Sequence, residues 1–195
     1  CDLRDECWGF LPEHTIFTLY YGGQKAFDLF ADGVETIAGI PADFKLNGKQ
    51  RIQVEAVKSG ETYINPAEIR AFLETLIYPV YYLDFETFSP AVPLYDGMRP
   101  YQRVPFQFSL HVVMQPGGAP EHYAYLMPDR EDPRPALLEA LKLHLGDRGS
   151  VVVYNQGFEQ GVFRELAEAF PVDAAWCEDI ISRMVDLLAP FRAFH

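Results

Sequence analysis

The order of secondary-structure elements predicted after residue 79 is the feature that most limits the fold of this chain. Segments with strand character are followed by a helix, another strand and two helices, giving the order β, β, β, α, β, α, α. Residues 150–154 are apolar and β-branched at successive positions, so this strand should be covered on both faces. The pattern predicts an α/β domain with a mixed sheet flanked by helices. The predicted strands are 80–88, 106–114, 122–127 and 150–154, and the predicted helices are 135–145, 157–170 and 174–188.

Residues 1–78 form the other predicted region, which is smaller and mostly helical. Residues 51–57 alternate strictly between polar and apolar, which suits either a short strand or the exposed edge of a helix. Asn65 and Pro66 are typical of a helix start, with Asn65 as the N-cap and Pro66 in the first turn. This helix is predicted to end at Pro79 and to bury the stripe Ile69, Phe72, Leu73 and Leu76.

The composition is that of a globular chain, with 49% hydrophobic and 23% charged residues among 195. No apolar run approaches the roughly 20 residues that a membrane-crossing helix needs, so no membrane association is expected. Three cysteines do not suggest a disulfide scaffold and the N-terminus has no leader pattern, so the cytoplasm is the expected compartment. The chain begins at Cys1 and not at Met, which we interpret as a piece of a longer polypeptide.

The net charge of -12 limits how this chain can hold a partner. It argues against a protein that binds nucleic acid mainly by neutralising phosphates, because that mode needs a basic face. Acid-rich metal sites, however, lower the net charge by themselves, and other domains of a longer protein could hold the nucleic acid. Nucleic acid therefore stays among the expected partners, and the oligomeric state is left undetermined.

Two acids occupy alternate positions on the first predicted strand. Strand alternation places Asp84 and Glu86 on one face with Tyr82, and Leu83 and Phe85 on the other. The Cα atoms of the two acids should lie roughly 7 Å apart, from a rise of about 3.3 Å per residue. Two carboxylates at this separation can share a hard divalent cation, for which oxygen ligands are preferred. The alternative is that this face of the strand is simply exposed to solvent.

A third acid follows the fourth predicted strand. On a helical wheel, Glu159 falls on the same stripe as Phe163, Leu166 and Phe170, so its side chain should point inward at the first turn of the helix. An inward acid beside the carboxyl end of a central strand is well placed to join a metal site. The alternative is that Asn155 caps the helix and Glu159 only complements the helix dipole.

These two segments resemble known motifs. Residues 84–87, Asp-Phe-Glu-Thr, resemble the first motif of DnaQ-like three-prime-to-five-prime exonucleases, and residues 155–159 are similar to their second motif. The resemblance implies a ribonuclease-H-like fold and a site in which acids bind two Mg²⁺ or Mn²⁺ ions to hydrolyse phosphodiesters in DNA or RNA. It assigns Asp84, Glu86 and Glu159 as catalytic metal ligands, and it assigns Thr87 and Asn155 to substrate binding.

The sequence departs from that family in two places. The acid of the second motif is usually Asp, whereas this chain has the longer Glu159. The third motif, an acid preceded by His or Tyr, is not found before His195, so the domain at 79–195 is expected to be incomplete at its C-terminal end. Asp186 resembles a residue that is common in these enzymes but is usually not a ligand, and we expect it to organise the fold.

A second resemblance spans nearly the whole chain and is carried by the segments 7–12, 82–88, 93–97, 105–109 and 154–159. With these segments the chain is similar to an uncharacterised bacterial family, classed as a domain of unknown function, whose members often join a RecB-like nuclease region to a part like this one. The resemblance implies that residues 1–78 are a linker and helical region that follows a missing nuclease-like domain.

The cysteines and histidines add little chemistry of their own. The spacing of Cys1 and Cys7 is similar to the last two of four cysteines that hold an iron–sulfur cluster in some RecB-like nucleases, so a cluster could form only in the full-length protein. Cys177 lies among apolar residues and is expected in the core. His111 lies in a predicted strand and could be a core or a surface group, whereas His122 and His144 lack acidic or cysteine partners at metal-ligand spacing.

The preferred functional hypothesis is a divalent-metal-dependent nuclease module with exonuclease-like activity. The alternative is a non-catalytic ribonuclease-H-like scaffold, accessory to a RecB-like nuclease, that keeps the acids as remnants. A third hypothesis, hydrolysis of a small phosphorylated molecule, would use the same metals in a closed pocket.

Overall fold

The chain divides into two structural units in the computed structural model, which describes residues 2–193. Among the described residues, the first unit comprises 2–66 together with Ala193, and the second is Ala67–Arg192. Cys1 and His195 lie outside the described residues. No helix within the described range is both long enough and apolar enough to cross a membrane.

The first unit is built from helices and turns around a small apolar core. Its helices are α1 (Arg4–Trp8), α2 (Gln24–Ala31) and α3 (Gly48–Ser59), and Thr15 and Thr36 form an isolated bridge. The core cluster consists of Ile16, Leu19, Ala26, Leu29, Ile37, Ile40 and Val54.

The segment 51–57, which the sequence left open between strand and helix, lies in α3. The reason is a capping box at the start of this helix. The Asn47 side chain accepts the Gln50 N–H at 2.9 Å, and the Gln50 side chain accepts the Asn47 N–H at 3.1 Å. Gly60, at a φ of 73°, ends the helix in the left-handed conformation that favours glycine.

Replacement of Asn47 by Ala should lower the free energy of unfolding by about 1 kcal/mol, because the Gln50 N–H loses its acceptor. Urea denaturation of the purified protein would measure the change. Asn47→Asp is the control, since Asp keeps an acceptor oxygen at the N-cap. Equal stabilities for the Ala and Asp variants would contradict the prediction.

The next helix differs from its prediction. Helix α4 spans Pro66–Glu74 and ends well before Pro79, because the Thr75 side chain and N–H both bind the carbonyl of Phe72 and tighten the last turn. The predicted buried stripe is wrong in part. Leu73 is 50% exposed, whereas Ile69, Phe72 and Leu76 are half-buried.

The second unit contains a five-stranded mixed sheet in the order β3-β2-β1-β4-β5. Strands β1 and β2 are antiparallel, as are β2 and β3, whereas β4 runs parallel to β1 and β5 parallel to β4. The strands are β1 (Val80–Phe88), β2 (Val104–Val113), β3 (Glu121–Leu126), β4 (Ser150–Val153) and β5 (Met184–Asp186). The helices are α5 (Pro133–His144), α6 (Gly157–Ala169), α7 (Ala174–Ser182) and α8 (Leu188–Ala193).

The predicted α/β class and mixed sheet with flanking helices are confirmed, but the predicted helix over 174–188 is correct only as far as residue 182. Helix α7 ends at Ser182, and residues 184–186 form the fifth strand. Val185 pairs with Val152 along the otherwise open side of β4. The backbone of this short apolar segment gains ladder hydrogen bonds from that pairing, and this tertiary contact outweighs its helical spacing.

The core of this unit lies between the sheet and helices α5, α6 and α7. All four residues of β4 are buried, as the sequence predicted for a strand covered on both faces. In β1 the inward positions include Leu83 and Phe85, each 3% exposed. Because Leu83 and Phe85 point into the core, the even-numbered residues 82, 84 and 86 point to the opposite, exposed face of the sheet.

Candidate functional site

Three parallel strands bring the candidate residues to one edge of the sheet. Because β1 and β4 are parallel with Tyr82 opposite Val152, Asp84 lies level with the point where β4 ends, and β5 ends beside β4 with Asp186 opposite Val153. Asp84 is the central residue of β1, Glu86 lies in the second half of that strand, and Asp186 is the last residue of β5. Asn155 and Glu159 follow β4, the latter in the first turn of α6. This edge is where ligands commonly bind in open α/β sheets.

The two acids of β1 share a face, as strand alternation predicted, and both side chains are exposed. Asp84 lies opposite Ser109 and Glu86 opposite Gln107 in the pairing of β1 with β2. The register shifts between Glu86 and Thr87, and such an irregularity re-aims side chains at the end of a strand. Taken alone, Asp84 and Glu86 therefore match the alternative in which this face of β1 is simply exposed to solvent.

Glu159 has the opposite environment. Its residue is 2% exposed, and its Oε2 atom has no hydrogen-bond partner among the described residues. Burial raises the pKa of the Glu159 carboxyl from 4.5 to about 7. A backbone hydrogen bond acts in the opposite direction, and the charges of Asp84 and Asp186 add to the increase. The negative charges of Asp84 and Asp186 therefore disfavour ionisation of the buried Glu159 carboxyl.

The helical wheel correctly placed Glu159 on the inward side of α6. Phe163 and Leu166, on the same stripe, are buried in the main core cluster. A carboxylate on an apolar stripe is costly unless it is protonated or paired with a cation. An ionised Glu159 would therefore destabilise the folded state, because it lies in the first turn of an otherwise apolar face of α6.

Asp186 organises the backbone at this edge. Its Oδ1 accepts the N–H of Asn155 at 2.9 Å and the N–H of Leu188 at 2.9 Å. Asn155 is held at a φ of 67°, in the left-handed region, and its own carbonyl accepts the Phe158 N–H. The position before α6 belongs to Gln156, which makes no side-chain capping bond, so the alternative in which Asn155 caps α6 with its side chain is not what is found.

The predicted site residues therefore do not all meet. Among residues 2–193, no three His, Cys, Asp or Glu side chains form a group ready to hold a metal ion. The charge of Asp84 contributes to the raised pKa of Glu159, and Glu86 and the half-buried Thr87 are further along β1. Asp186 was assigned to the fold alone, and its influence on Glu159 was missed because β5 was not predicted. This edge therefore holds a buried carboxylate whose Oε2 has no partner among the described residues, the exposed Asp84, and Asp186, whose Oδ1 already accepts two backbone N–H groups.

The remaining cysteines and histidines lie away from this edge or have other partners. Cys177 is in the core, as predicted, where burial raises the pKa of its thiol to about 11. Cys7 is exposed and free. His111 and His122 stack with ring centroids 4.3 Å apart, and His144 stacks on a tyrosine.

Comparisons with known proteins give one match. The family model described as "Domain of unknown function (DUF2779)" matches residues 81–195, which is more than half of the chain. No curated protein and no solved structure matches.

Proposed function

The chain belongs to the DUF2779 family, and we propose that its matched region is a divalent-metal-dependent hydrolase of phosphodiesters, with exonuclease-like activity on DNA or RNA. Asp84, Glu86 and Glu159 are the proposed ligands. The observation that carries the proposal is the buried Glu159 carboxylate, whose Oε2 has no partner among the described residues and whose pKa is raised by burial and, to a smaller extent, by the charge of Asp84.

A divalent cation would resolve the electrostatic problem that Glu159 creates. Without one, the buried carboxylate can avoid its desolvation cost only by keeping a proton. Mg²⁺ and Mn²⁺ prefer oxygen ligands, and an acid-only donor set suits them. Asp84 is exposed, so its carboxylate is accessible to an ion from solvent. The donor chemistry therefore fits the proposed ions, although the ligands are not already gathered around one point.

The bound ions and the side chains of this chain would have different roles in the proposed hydrolysis. When bound, the ions would activate water and stabilise the leaving oxygen of a phosphodiester. The role of the carboxylates is to hold the ions at the edge of the sheet. The exposed Asn155, fixed by Asp186, is the proposed substrate contact on one side, and Thr87 at the register shift of β1 is the proposed contact on the other.

The sheet order supports the ribonuclease-H-like part of the proposal. A three-stranded antiparallel meander is followed by a crossover through α5 to β4, which lies parallel beside β1. This is the meander-plus-crossover arrangement expected of such a sheet. The acids of the two motif-like segments lie in the middle and second half of β1 and in the first turn of α6, the helix that follows β4. The proposed RecB-like context rests on the resemblance of the sequence segments alone.

The test combines metal binding with degradation. Calorimetric titration with Mn²⁺ should show binding, and labelled single-stranded DNA and RNA should be shortened from the three-prime end when Mn²⁺ is present. Asp84→Asn should lower both the affinity and the rate by at least about 100-fold, because it removes a ligand charge. The matched control is Asp147→Asn, an exposed acid before β4 at the other edge of the sheet, which should change neither.

A non-catalytic scaffold is the second candidate, and two observations favour it. No ready-made metal group exists within the described part of the chain, and the net charge is -12. A scaffold would bind no Mn²⁺ and would behave identically with Asp84 or Asn at that position. Release of inorganic phosphate from small phosphomonoesters, without shortening of nucleic acid, would instead favour the small-molecule hydrolase.

A further inference from the structure

Arg103 connects the strand pair that carries Asp84 to the helix that carries Glu159. It directly precedes β2, and its side chain reaches across to α6. Its Nε and Nη2 donate to Oε1 of Glu165 at 3.1 and 3.0 Å, and its backbone N–H donates to Oε2 at 2.9 Å. One carboxylate is thus held by three N–H groups of a single residue, an arrangement with strong directional preference.

The same guanidinium also reaches the first turn of α6. Nη1 donates to the carbonyl of Phe158 at 3.4 Å, and the guanidinium carbon lies 5.6 Å from the centroid of the Phe158 ring. Phe158 immediately precedes Glu159. The contacts of Arg103 therefore extend along two turns of the helix, from the residue next to the buried acid to Glu165.

A glycine inside α6 makes room for this contact. Gly161 lies between Phe158 and Glu165 on the side that faces Arg103, and a Cβ added there would collide with the guanidinium. Glycine is among the poorest residues for a helix interior. Its presence at this position is explained by the close approach of Arg103.

We propose that Arg103 is a positioning residue that fixes the rotation of α6, so that the Glu159 carboxylate stays on the buried side of the helix. The inference rests on the proposed function, because it concerns the same metal site. A helix gripped at two successive turns on one face cannot rotate about its axis without breaking these bonds. Strand β2, which Arg103 directly precedes, pairs with β1, and Ser109 of β2 lies opposite Asp84. The bonds from Arg103 to α6 therefore connect the helix that carries Glu159 to the strand pair that carries Asp84.

The experiment measures Mn²⁺ affinity and thermal stability for matched variants. Arg103→Ala should weaken Mn²⁺ binding about 10- to 100-fold, the usual effect of removing a residue that orients a ligand. Arg103→Lys keeps the charge but not the planar fork, so it should restore only part of the affinity. Gly161→Ala is a second variant that keeps both charged partners. Gly161→Ala should also weaken Mn²⁺ binding, because its Cβ displaces the guanidinium of Arg103, even though Ala has a higher helix propensity than Gly.

Arg183→Ala is the control for lost stability. Arg183 pairs with Asp179 at 3.0 Å and donates to the carbonyls of Gly146 and Gly149, a comparable set of contacts before the start of β4. This variant should lower the melting temperature as Arg103→Ala does and leave Mn²⁺ affinity unchanged. An equal loss of affinity in both variants would overturn the inference, because affinity would then simply follow stability.

A metal-independent measurement separates this inference from the proposed function. Amide hydrogen exchange in the first two turns of α6 should become faster in Arg103→Ala, with little change in β4. If the wild-type protein binds no Mn²⁺, the proposed function fails, and the exchange result still decides whether Arg103 fixes the helix. Unchanged exchange in those turns, or wild-type Mn²⁺ affinity in the Ala variant, would overturn the positioning role.

Discussion

Replacement of Glu159 by Gln will raise the free energy of unfolding of the metal-free protein by roughly 3 kcal/mol at about pH 8, and will leave it nearly unchanged at about pH 4. The Glu159 pKa is about 7 in the folded protein, against an ordinary value of 4.5 for this side chain. Between these values the folded protein holds a proton that the unfolded chain has lost. Wild-type stability therefore falls as the pH rises through this window, and the neutral Gln side chain has no such loss.

Urea denaturation with a chelator present, repeated across this pH range, would measure the effect. The matched control is Glu86→Gln, which removes an exposed carboxylate and should leave the wild-type pH profile in place. Added Mn²⁺ should recover stability at high pH in the wild-type protein and not in the Glu159 variant, because a ligand stabilises the state that binds it. Parallel pH profiles for wild type and Glu159→Gln would refute the prediction.

Replacement of Phe163 by Ala should cost about 3–5 kcal/mol of folding stability. Phe163 is completely buried one turn beyond Glu159, and its ring packs edge-on against Phe85 with centroids 5.5 Å apart. Its ring also contacts Trp176 at 5.9 Å, so the side chain joins β1, α6 and α7. Truncation would leave a cavity between three elements, which the surrounding packing can only partly close.

Denaturation curves would again give the result, with two controls. Phe163→Leu keeps most of the apolar volume and should cost much less than the Ala variant. Phe27→Ala removes a ring that is 56% exposed in the other unit and should change stability little. A loss for Phe163→Ala no greater than that for Phe27→Ala would contradict the assignment of Phe163 to the core.

The parts of the fold that follow from local patterns were predictable. Strand β1 spans Val80–Phe88, the range predicted, because its alternation matches a half-buried strand and turn-forming prolines bound it. The inward side of α6, with Glu159 on it, followed from helical spacing. The covered strand β4 followed from its continuous apolar run. In each case the signal lies within a dozen neighbouring residues.

The remainder depends on contacts between distant residues. Strand β5 has only three residues, too few for a pattern to be recognised, and it forms because β4 offers an open side. Arg103 and Glu165 are 62 positions apart, and nothing in either local sequence indicates that they meet. The proximity of Asp186 to Glu159 was missed for the same reason. Individual acids could therefore be chosen from the sequence, but not the distances between them.

The bonds of Asp186 have a consequence for how the domain matures during synthesis. The backbone turn at Asn155 is held by a carboxylate 31 residues later in the chain, so the first four strands can pair before that support has left the ribosome. A nascent chain at that stage would expose the open side of β4 and would lack the charge that Asp186 contributes near Glu159. The surroundings of the buried acid would then be completed late, in the same step that closes the sheet.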